Sequence, residues 1–381
     1  MKNTAKTRTI KRQLFLTSAI AGILLTGYAR QSYAACVNVG GANFICSGAN
    51  TTMQSITPND ASVSTLAGFS VNSSSGSGLE IDADGVMSFT DTNASSIIST
   101  NGAGLLFVED GDNGATPGSV TITANSTISG STDGISASIS LGTIPSGAVT
   151  LDISGDVTGT SRNGIDARNE CTNGTNVSVT TATGTTIQGG QRGINAYNGG
   201  DGTTTLDISG DVTGTSQIGI RAEGRGTNLS VTTAANTTVQ GATGIDARNT
   251  GSGTTTLDIS GDVTGTGNNG IFASNQAAST SDLSVTTAAN TTVQGTRGIY
   301  ARNNGNGTTT LNISGDVTGT TSEGLFARGD GTNLSVTTAT GTTVQGNTRG
   351  IRALNFGNGT TTIDLSSDIV FADLPALLYR A

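Results

Sequence analysis

A four-residue phrase, Gly-Ile/Leu-x-Ala, recurs nine times in this chain and constrains its fold more than any other feature. The copies run from Gly134 to Gly350, so the eight steps between them average 27 residues. Between them stands a second phrase in two alternating versions, LDISGDV beginning at Leu151 and VSVTT beginning at Val177. Two unlike units therefore make one longer repeat, a pattern typical of solenoids.

Apolar and polar residues alternate within each phrase. Leu151, Ile153 and Val157 are apolar, whereas Asp152 and Asp156 are polar. Alternation of this kind indicates short β-strands with one buried face, and the Gly-, Asn-, Asp- and Thr-rich segments between them favour turns. Strands this short bury a core only when each pairs with its counterpart in the next coil, about 4.8 Å away.

These features predict an all-β fold, a right-handed parallel β-helix with rungs of about 27 residues. A propeller blade needs roughly 40 residues and aromatic signatures, and this chain has no tryptophan. We expect irregular N-terminal rungs and a cap over residues 35–118, and regular β-helix repeats over 119–365. The composition changes after that, which predicts a C-terminal cap or a truncated linker at 366–381.

The first 34 residues predict a secretory signal peptide. Five basic residues precede the apolar stretch LFLTSAIAGILL, and Ser32-Tyr33-Ala34 supplies small residues for cleavage after Ala34. Removing residues 1–34 takes away six of the 18 basic residues and none of the 27 acidic ones, so the remainder carries a net charge of −15. An acidic chain without lysine repels phosphate backbones, which argues against nucleic-acid partners.

Cys36 and Cys46 frame the short segment CVNVGGANFIC near the start of the exported part. A chain that enters an oxidising compartment is expected to pair them in a disulfide that pins the first strands. Cys171 is left over, and we interpret it as an unpaired loop thiol.

Residues 1 to about 365 resemble the passenger region of an autotransporter. The likeness rests on the basic signal peptide, the Cys36 and Cys46 spacing followed by Ser47-Gly48-Ala49-Asn50-Thr51, and the Thr/Gly/Asn-rich rungs with LDISGDV phrases. It implies an adhesin-like rod at the cell surface or outer membrane, displayed by a C-terminal β-barrel. Only 18 residues follow Ile363, too few for such a barrel, so we expect a truncated, released or otherwise anchored rod.

Most catalytic constellations are excluded by composition. Without histidine there is no Ser-His-Asp triad and no HExxH zinc site, and without lysine beyond Lys11 there is no P-loop. The remaining candidates are aspartates that recur in every second rung, about 9.6 Å apart, which we interpret as solvated outward residues rather than catalytic or metal-binding ones. They are Asp152, Asp207 and Asp258, with Asp156, Asp211, Asp262 and Asp316.

The variable residue of the Gly-Ile/Leu-x-Ala phrase is predicted to point outward, because Ile and Ala flank it and point inward. Three adjacent rungs place Phe272, Tyr300 and Phe326 there, and two residues later come Ser274, Arg302 and Arg328. One interpretation is a ligand-binding face that stacks on sugar rings or on a protein. The other is a ladder that stabilises the rod through cross-strand pairs.

Regular rungs with short turns favour a non-enzymatic surface or secreted scaffold, expected to act in adhesion to host or neighbouring cells. Its expected partner is an unidentified glycan or protein of a host or bacterial surface, and no cofactor is expected. The alternative is a carbohydrate-active β-helix enzyme, a polysaccharide lyase or hydrolase, although such enzymes carry long loops that wall a cleft.

Overall fold

The structure is a computed structural model that describes residues 35–109, 118–140, 147–276, 281–371 and 377–380. The predicted signal peptide lies outside the described residues. Among those that are described, all regular structure is β-strand, and three sheets form a right-handed parallel solenoid of about 12 turns with rungs of about 26 residues. The predicted fold class is confirmed.

Sheet A begins each rung and carries the LDIS and LSVTT phrases. All its neighbours pair in parallel except β1 and β2, which form an antiparallel hairpin. Its strands are β1 Ala35–Gly40, β2 Asn43–Ser47, β5 Ser62–Thr65, β8 Val86–Asp91, β11 Ser119–Ala124, β14 Val149–Ile153, β17 Val177–Thr181, β20 Thr204–Ile208, β23 Leu229–Thr233, β26 Thr255–Ile259, β29 Leu283–Thr287, β32 Thr309–Ile313, β35 Leu334–Thr338 and β38 Thr361–Leu365.

Sheet B follows sheet A in every rung and is built from the shortest strands, which carry the DVTG and TVQG phrases. Its strands are β3 Ala49–Asn50, β6 Ser70–Ser73, β9 Ser96–Ser99, β12 Thr127–Gly130, β15 Val157–Gly159, β18 Thr186–Gly189, β21 Asp211–Gly214, β24 Thr238–Gly241, β27 Asp262–Gly265, β30 Thr292–Gly295, β33 Asp316–Gly319, β36 Thr343–Gly346 and β39 Asp368–Phe371.

Sheet C completes each rung and, from β13 to β37, carries the Gly-Ile/Leu-x-Ala phrase. Its strands are β4 Gln54–Ile56, β7 Leu79–Asp82, β10 Leu105–Glu109, β13 Ile135–Ile139, β16 Asn163–Asn169, β19 Arg192–Asn198, β22 Ile218–Gly224, β25 Thr243–Asn249, β28 Ile271–Asn275, β31 Ile299–Asn303, β34 Glu323–Gly329, β37 Arg349–Asn355 and β40 Leu377–Arg380.

One rung shows how the core is filled. Leu206 and Ile208 from sheet A, Val212 from sheet B, and Ile220 and Ala222 from sheet C are all fully buried. The later rungs repeat this set in register, as Ile220 pairs with Ile245, except that a buried threonine stands opposite Ile208 in every second rung. Columns of aliphatic side chains therefore run along the axis and form one continuous interior, as the two-residue alternation predicts.

The glycine of the repeated phrase is required by a close approach between rungs. At the bend between sheets B and C, a Cβ on Gly164 would lie 2.7 Å from the carbonyl oxygen of Gly193 and 2.8 Å from the Ile187 side chain. A Cβ on Gly193 would meet the Gly219 oxygen at the same distance. Only glycine leaves room for the stacked bends, which explains why this position does not vary.

Hydrogen bonds explain why two kinds of rung alternate. At one interface the Asp of the LDISGDV phrase accepts a bond from the next rung, as Asp211 does from the Thr238 backbone N–H at 2.7 Å. At the other interface a buried Thr accepts two, since Thr233 Oγ1 lies 3.1 Å from the backbone nitrogens of both Ser260 and Gly261. The two kinds of rung therefore accept backbone N–H groups of the next rung through different side chains, an aspartate carboxylate in one kind and a threonine hydroxyl in the other.

A buried column of asparagines follows the inner edge of sheet C. Asn303 donates through Nδ2 to the Ser281 and Thr308 carbonyl oxygens and accepts the Gly305 N–H through Oδ1 at 3.0 Å. The side chain thereby links the turn at Gly305 to the segments that precede the sheet A strands. Cross-strand registers align Asn169, Asn198, Asn249, Asn275, Asn303 and Asn355, with Gly224 and Gly329 between them.

The N-terminal rungs lie in the same three sheets as the later ones. The β1–β2 hairpin covers the first edge of sheet A, and the structure contains a disulfide between its paired residues Cys36 and Cys46. The parallel stack starts at β2 and β5 and continues into the later rungs. Its core differs in holding large side chains, namely Phe69, Phe89, Phe107 and Met87.

Candidate functional site

The aspartates of the LDISGDV phrase lie exposed on sheets A and B. Asp207 faces Thr180 in the rung before it and Thr232 in the rung after it, so equivalent acids recur in every second rung. The structure agrees with the outward orientation inferred from sequence. It adds a structural role for the second aspartate of each phrase, because Asp156, Asp262 and Asp316 bond to the next rung in the way that Asp211 does.

All arginines that follow residue 34 lie on, or next to, strands of a single sheet. Twelve basic residues follow residue 34, all of them arginine. Each lies on a strand of sheet C or within two residues of one, whereas the strands of sheets A and B carry none. The twelve are Arg162, Arg168, Arg192, Arg221, Arg225, Arg248, Arg297, Arg302, Arg328, Arg349, Arg352 and Arg380.

The three aromatic residues predicted as a ladder stack on the outer face of sheet C. Phe272 pairs with Tyr300, and Tyr300 pairs with Phe326, in consecutive strands. The ring centroids lie 5.2 Å apart in the first pair, which is tilted, and 4.9 Å apart in the second, which is stacked. Such contacts stabilise adjacent rungs by about 0.5–1.5 kcal/mol per pair.

Guanidinium groups cover these rings, which the sequence interpretation did not anticipate. Arg248 lies 5.0 Å from the Phe272 centroid, and Arg297 lies 5.2 Å from that of Tyr300. Arg352 lies 4.7 Å from the Phe326 centroid, and only 9% of Phe326 is exposed. The face therefore presents cations held over aromatic rings rather than an open aromatic stripe.

One buried carboxylate organises the arginines of the last rungs. The Glu323 side chain is only 4% exposed and lies 2.9 Å from Arg297 Nε, 3.3 Å from Arg352 Nη1 and 3.6 Å from Arg349 Nη1. Burial raises the pKa of Glu323, but hydrogen bonds from Ser322 and Arg297 and the charge of Arg297 outweigh burial and lower that pKa to about 2. The carboxylate is thus charged at neutral pH and shared by three cations.

Arg302 and Arg328 are cross-strand neighbours on the same face. Arg328 forms two hydrogen bonds of 3.0 Å to the Asp330 carboxylate. Arg302 instead donates to the Asn304 amide oxygen at 2.8 Å and has no carboxylate partner among the residues described. Ser274, the third predicted member of this column, is buried beneath the surface.

A second group of arginines lies nearer the N-terminus of sheet C. Arg168 pairs with Asp166 and Glu170, and Arg221 pairs with Glu223. Most charges in this group are balanced locally. The neighbouring Cys171 is a free, buried thiol whose Sγ lies 2.8 Å from the Ser140 carbonyl oxygen, so it is unpaired but not exposed.

Sequence interpretation selected Phe272, Tyr300, Arg302, Phe326 and Arg328, and the structure brings these five residues together on adjacent strands. It missed Arg297, Glu323 and Arg349. All three stand two residues before the Ile or Leu of the repeated phrase, at or just before the start of a sheet C strand. Two-residue alternation would place that position on the same face as the buried Ile or Leu, so it gave no signal for these residues.

The described part of the chain contains no group of three or more Cys, Asp or Glu side chains placed to hold one metal ion. No helix long and apolar enough to cross a membrane occurs there. No known protein family, curated protein or solved structure matches the chain.

Proposed function

We propose that this protein is a non-enzymatic bacterial scaffold, displayed on the cell surface or secreted, that adheres to host or neighbouring cells through the outer face of sheet C. The proposal includes the autotransporter passenger-like character inferred from sequence. It is carried by one observation, the placement of the aromatic ladder and of every arginine after residue 34 on one sheet of an otherwise acidic rod.

The architecture supports a contact surface of this kind. Residues on a parallel solenoid repeat about every 4.8 Å along the axis, so one face offers the same chemistry many times over. Many weak contacts repeated along a rod add up to firm attachment, provided that they engage together. Sheets A and B carry exposed aspartates and no arginine on their strands, so these two faces repel an anionic surface. Sheet C is therefore the face that approaches such a surface.

Attachment is tested by blocking one face at a time. Gln276 and Thr256 are exposed residues of the same rung, on sheet C and sheet A respectively. We would label Gln276→Cys or Thr256→Cys with a maleimide polymer, couple the protein to beads, and count beads bound to bacterial and animal cells. The polymer at Gln276 is expected to abolish attachment, and the same polymer at Thr256 to leave it intact.

Two results would contradict the proposal. Equal attachment by both labelled proteins would place adhesion elsewhere on the rod. Release of reducing or unsaturated ends from polysaccharides incubated with purified protein would show catalytic turnover, and would favour the lyase or hydrolase alternative.

A further inference from the structure

The last rungs of sheet C hold more positive charge than their carboxylates neutralise. The arginine cluster comprises Arg297, Arg302, Arg328, Arg349 and Arg352, and the carboxylates that contact it are Glu323 and Asp330. Five cations and two anions leave three uncompensated positive charges on this face. Such an excess on a chain that is strongly acidic overall calls for an anion from outside.

The cluster is held ready to bind. Arg297 and Arg352 lie over aromatic rings, and the Arg297, Arg349 and Arg352 side chains are each about one third exposed. Arg352 Nε is buried without a hydrogen-bond partner among the described residues. Guanidinium groups fixed in this way lose little conformational entropy on binding, and their planar fork matches carboxylate and sulfate oxygens.

The shape of the cluster selects a chain rather than a small ion. Its arginines come from three consecutive rungs, so they form columns along the solenoid axis on an open face. The rung spacing of about 4.8 Å is comparable to the length of one sugar residue. Covered rings leave little aromatic surface for a neutral sugar or a nucleic-acid base to stack on.

We propose that the arginine cluster binds an anionic polysaccharide, a chain with carboxylate or sulfate groups on successive sugars, laid along the solenoid axis. This inference deepens the proposed function and rests on it, because it names the chemical class that the adhesive face recognises. Recognition is by charge-assisted hydrogen bonds from guanidinium groups, so binding weakens as salt concentration rises.

The test uses two double variants with equal loss of charge. Arg302→Gln with Arg349→Gln removes two members of the cluster and leaves Glu323 paired with Arg297 and Arg352. The control is Arg192→Gln with Arg225→Gln, two arginines at earlier strands of sheet C that have no carboxylate within 4.0 Å in the described part of the chain. Circular dichroism verifies that both remain folded.

Binding would be measured with fluorescent heparin, polygalacturonate and neutral dextran at low and at physiological salt. The unmodified chain is expected to bind one or both acidic polymers, but not dextran. The cluster variant should bind about tenfold more weakly, and the control variant less than about twofold more weakly. Comparing heparin with polygalacturonate separates sulfate from carboxylate recognition.

Several outcomes would overturn the inference. If both variants bind the acidic polymers equally weakly, the attraction comes from overall charge and not from the cluster. If single-stranded DNA binds as tightly, the protein binds polyanions indiscriminately. If neither acidic polymer binds, an anionic polysaccharide is not the ligand. If attachment to cells persists and is still blocked at Gln276, while neither acidic polymer binds, the polysaccharide inference fails and the adhesive function stands. If the acidic polymers bind but the protein attaches to no cell, the adhesive function fails and the polysaccharide inference stands.

Discussion

The rungs before residue 140 and those after residue 149 share the same three sheets. The earlier rungs place their aromatic side chains on the inner face of the sheets, and the later rungs place theirs on the outer face. Phe107 is fully buried on sheet C, and the residue paired with it in the next strand is Ala137. Every later rung keeps alanine at that inward position, down to Ala353. Aromatic residues reappear one position away, facing outward, at Phe272 and Tyr300.

The difference shows two ways of stabilising one backbone. The early rungs fill the core with large side chains, which contribute through apolar burial. The later rungs have an aliphatic core and add the asparagine column and the Asp–Thr and Thr–backbone hydrogen bonds between rungs. Because Phe272 and Tyr300 of the later rungs do not lie in the core, these aromatic residues are available on the outer face of sheet C together with the arginines.

The largest loss of stability should come from replacing a core side chain of an early rung with the residue that later rungs have at the same position. Phe107→Ala places the alanine of the repeats where the cavity is built for a phenylalanine, and we expect a loss of about 3–5 kcal/mol in the free energy of unfolding. Urea unfolding followed by circular dichroism measures it. A loss below about 1 kcal/mol would show that the early core collapses around the smaller residue and is not distinct.

Acid should weaken the later rungs through Glu323. Its folded-state pKa of about 2 lies below the ordinary value of 4.5, so its stabilisation is complete above pH 4.5 and is lost as pH falls toward 2. The difference in unfolding free energy between the unmodified chain and Glu323→Gln should therefore shrink over that window. A difference that does not change with pH would contradict the charge-sharing arrangement.

Removing one member of the asparagine column should have an intermediate effect. Asn303→Ala leaves the Ser281 and Thr308 carbonyls and the Gly305 N–H without their side-chain partner, at a cost of about 1–3 kcal/mol. Hydrogen exchange of the turn amides reports the loss locally. The control is Thr256→Ala on exposed sheet A, expected to change stability by less than about 0.5 kcal/mol. Equal effects would argue against a structural role for the column.

The smallest effect should come from the outer aromatic ladder. Tyr300→Ala removes one stacked pair, one tilted pair and the contact with Arg297, but creates no internal cavity. We expect a loss of about 1 kcal/mol, well below that of Phe107→Ala, in the same urea experiment. A loss as large as for the buried phenylalanine would mean that the ladder is chiefly structural and would weaken its assignment as a binding face.

The fold was accessible from sequence because its signals are local and repeated. The two-residue alternation in LDISGDV defines which residues face inward, and the constant step aligns like residues in adjacent rungs. That reasoning predicted the aromatic column at Phe272, Tyr300 and Phe326 and the every-second-rung spacing of Asp207 and Asp258, and the structure has both.

The arginines that lie over these aromatic rings could not be predicted from the sequence in the same way. Arg297 reaches Tyr300 and Phe326 from before the strand, so its position depends on the bend that precedes sheet C and on the attraction of Glu323. Buried Asn303 was also missed, because asparagine between strands suggests an exposed turn. Both features depend on contacts between different rungs, which alternation along a single strand does not encode.

The alternation of Asp–Thr and Thr–backbone interfaces sets the increment by which such a rod can grow or shrink. Deleting one rung would bring two like units together, so that Asp211 would face the carboxylate of an equivalent aspartate, such as Asp262, about 4.8 Å away in place of Thr238. Duplication or loss of a pair of rungs preserves every interface. Length variants of this protein should therefore differ by whole pairs, about 9.6 Å of reach at a time.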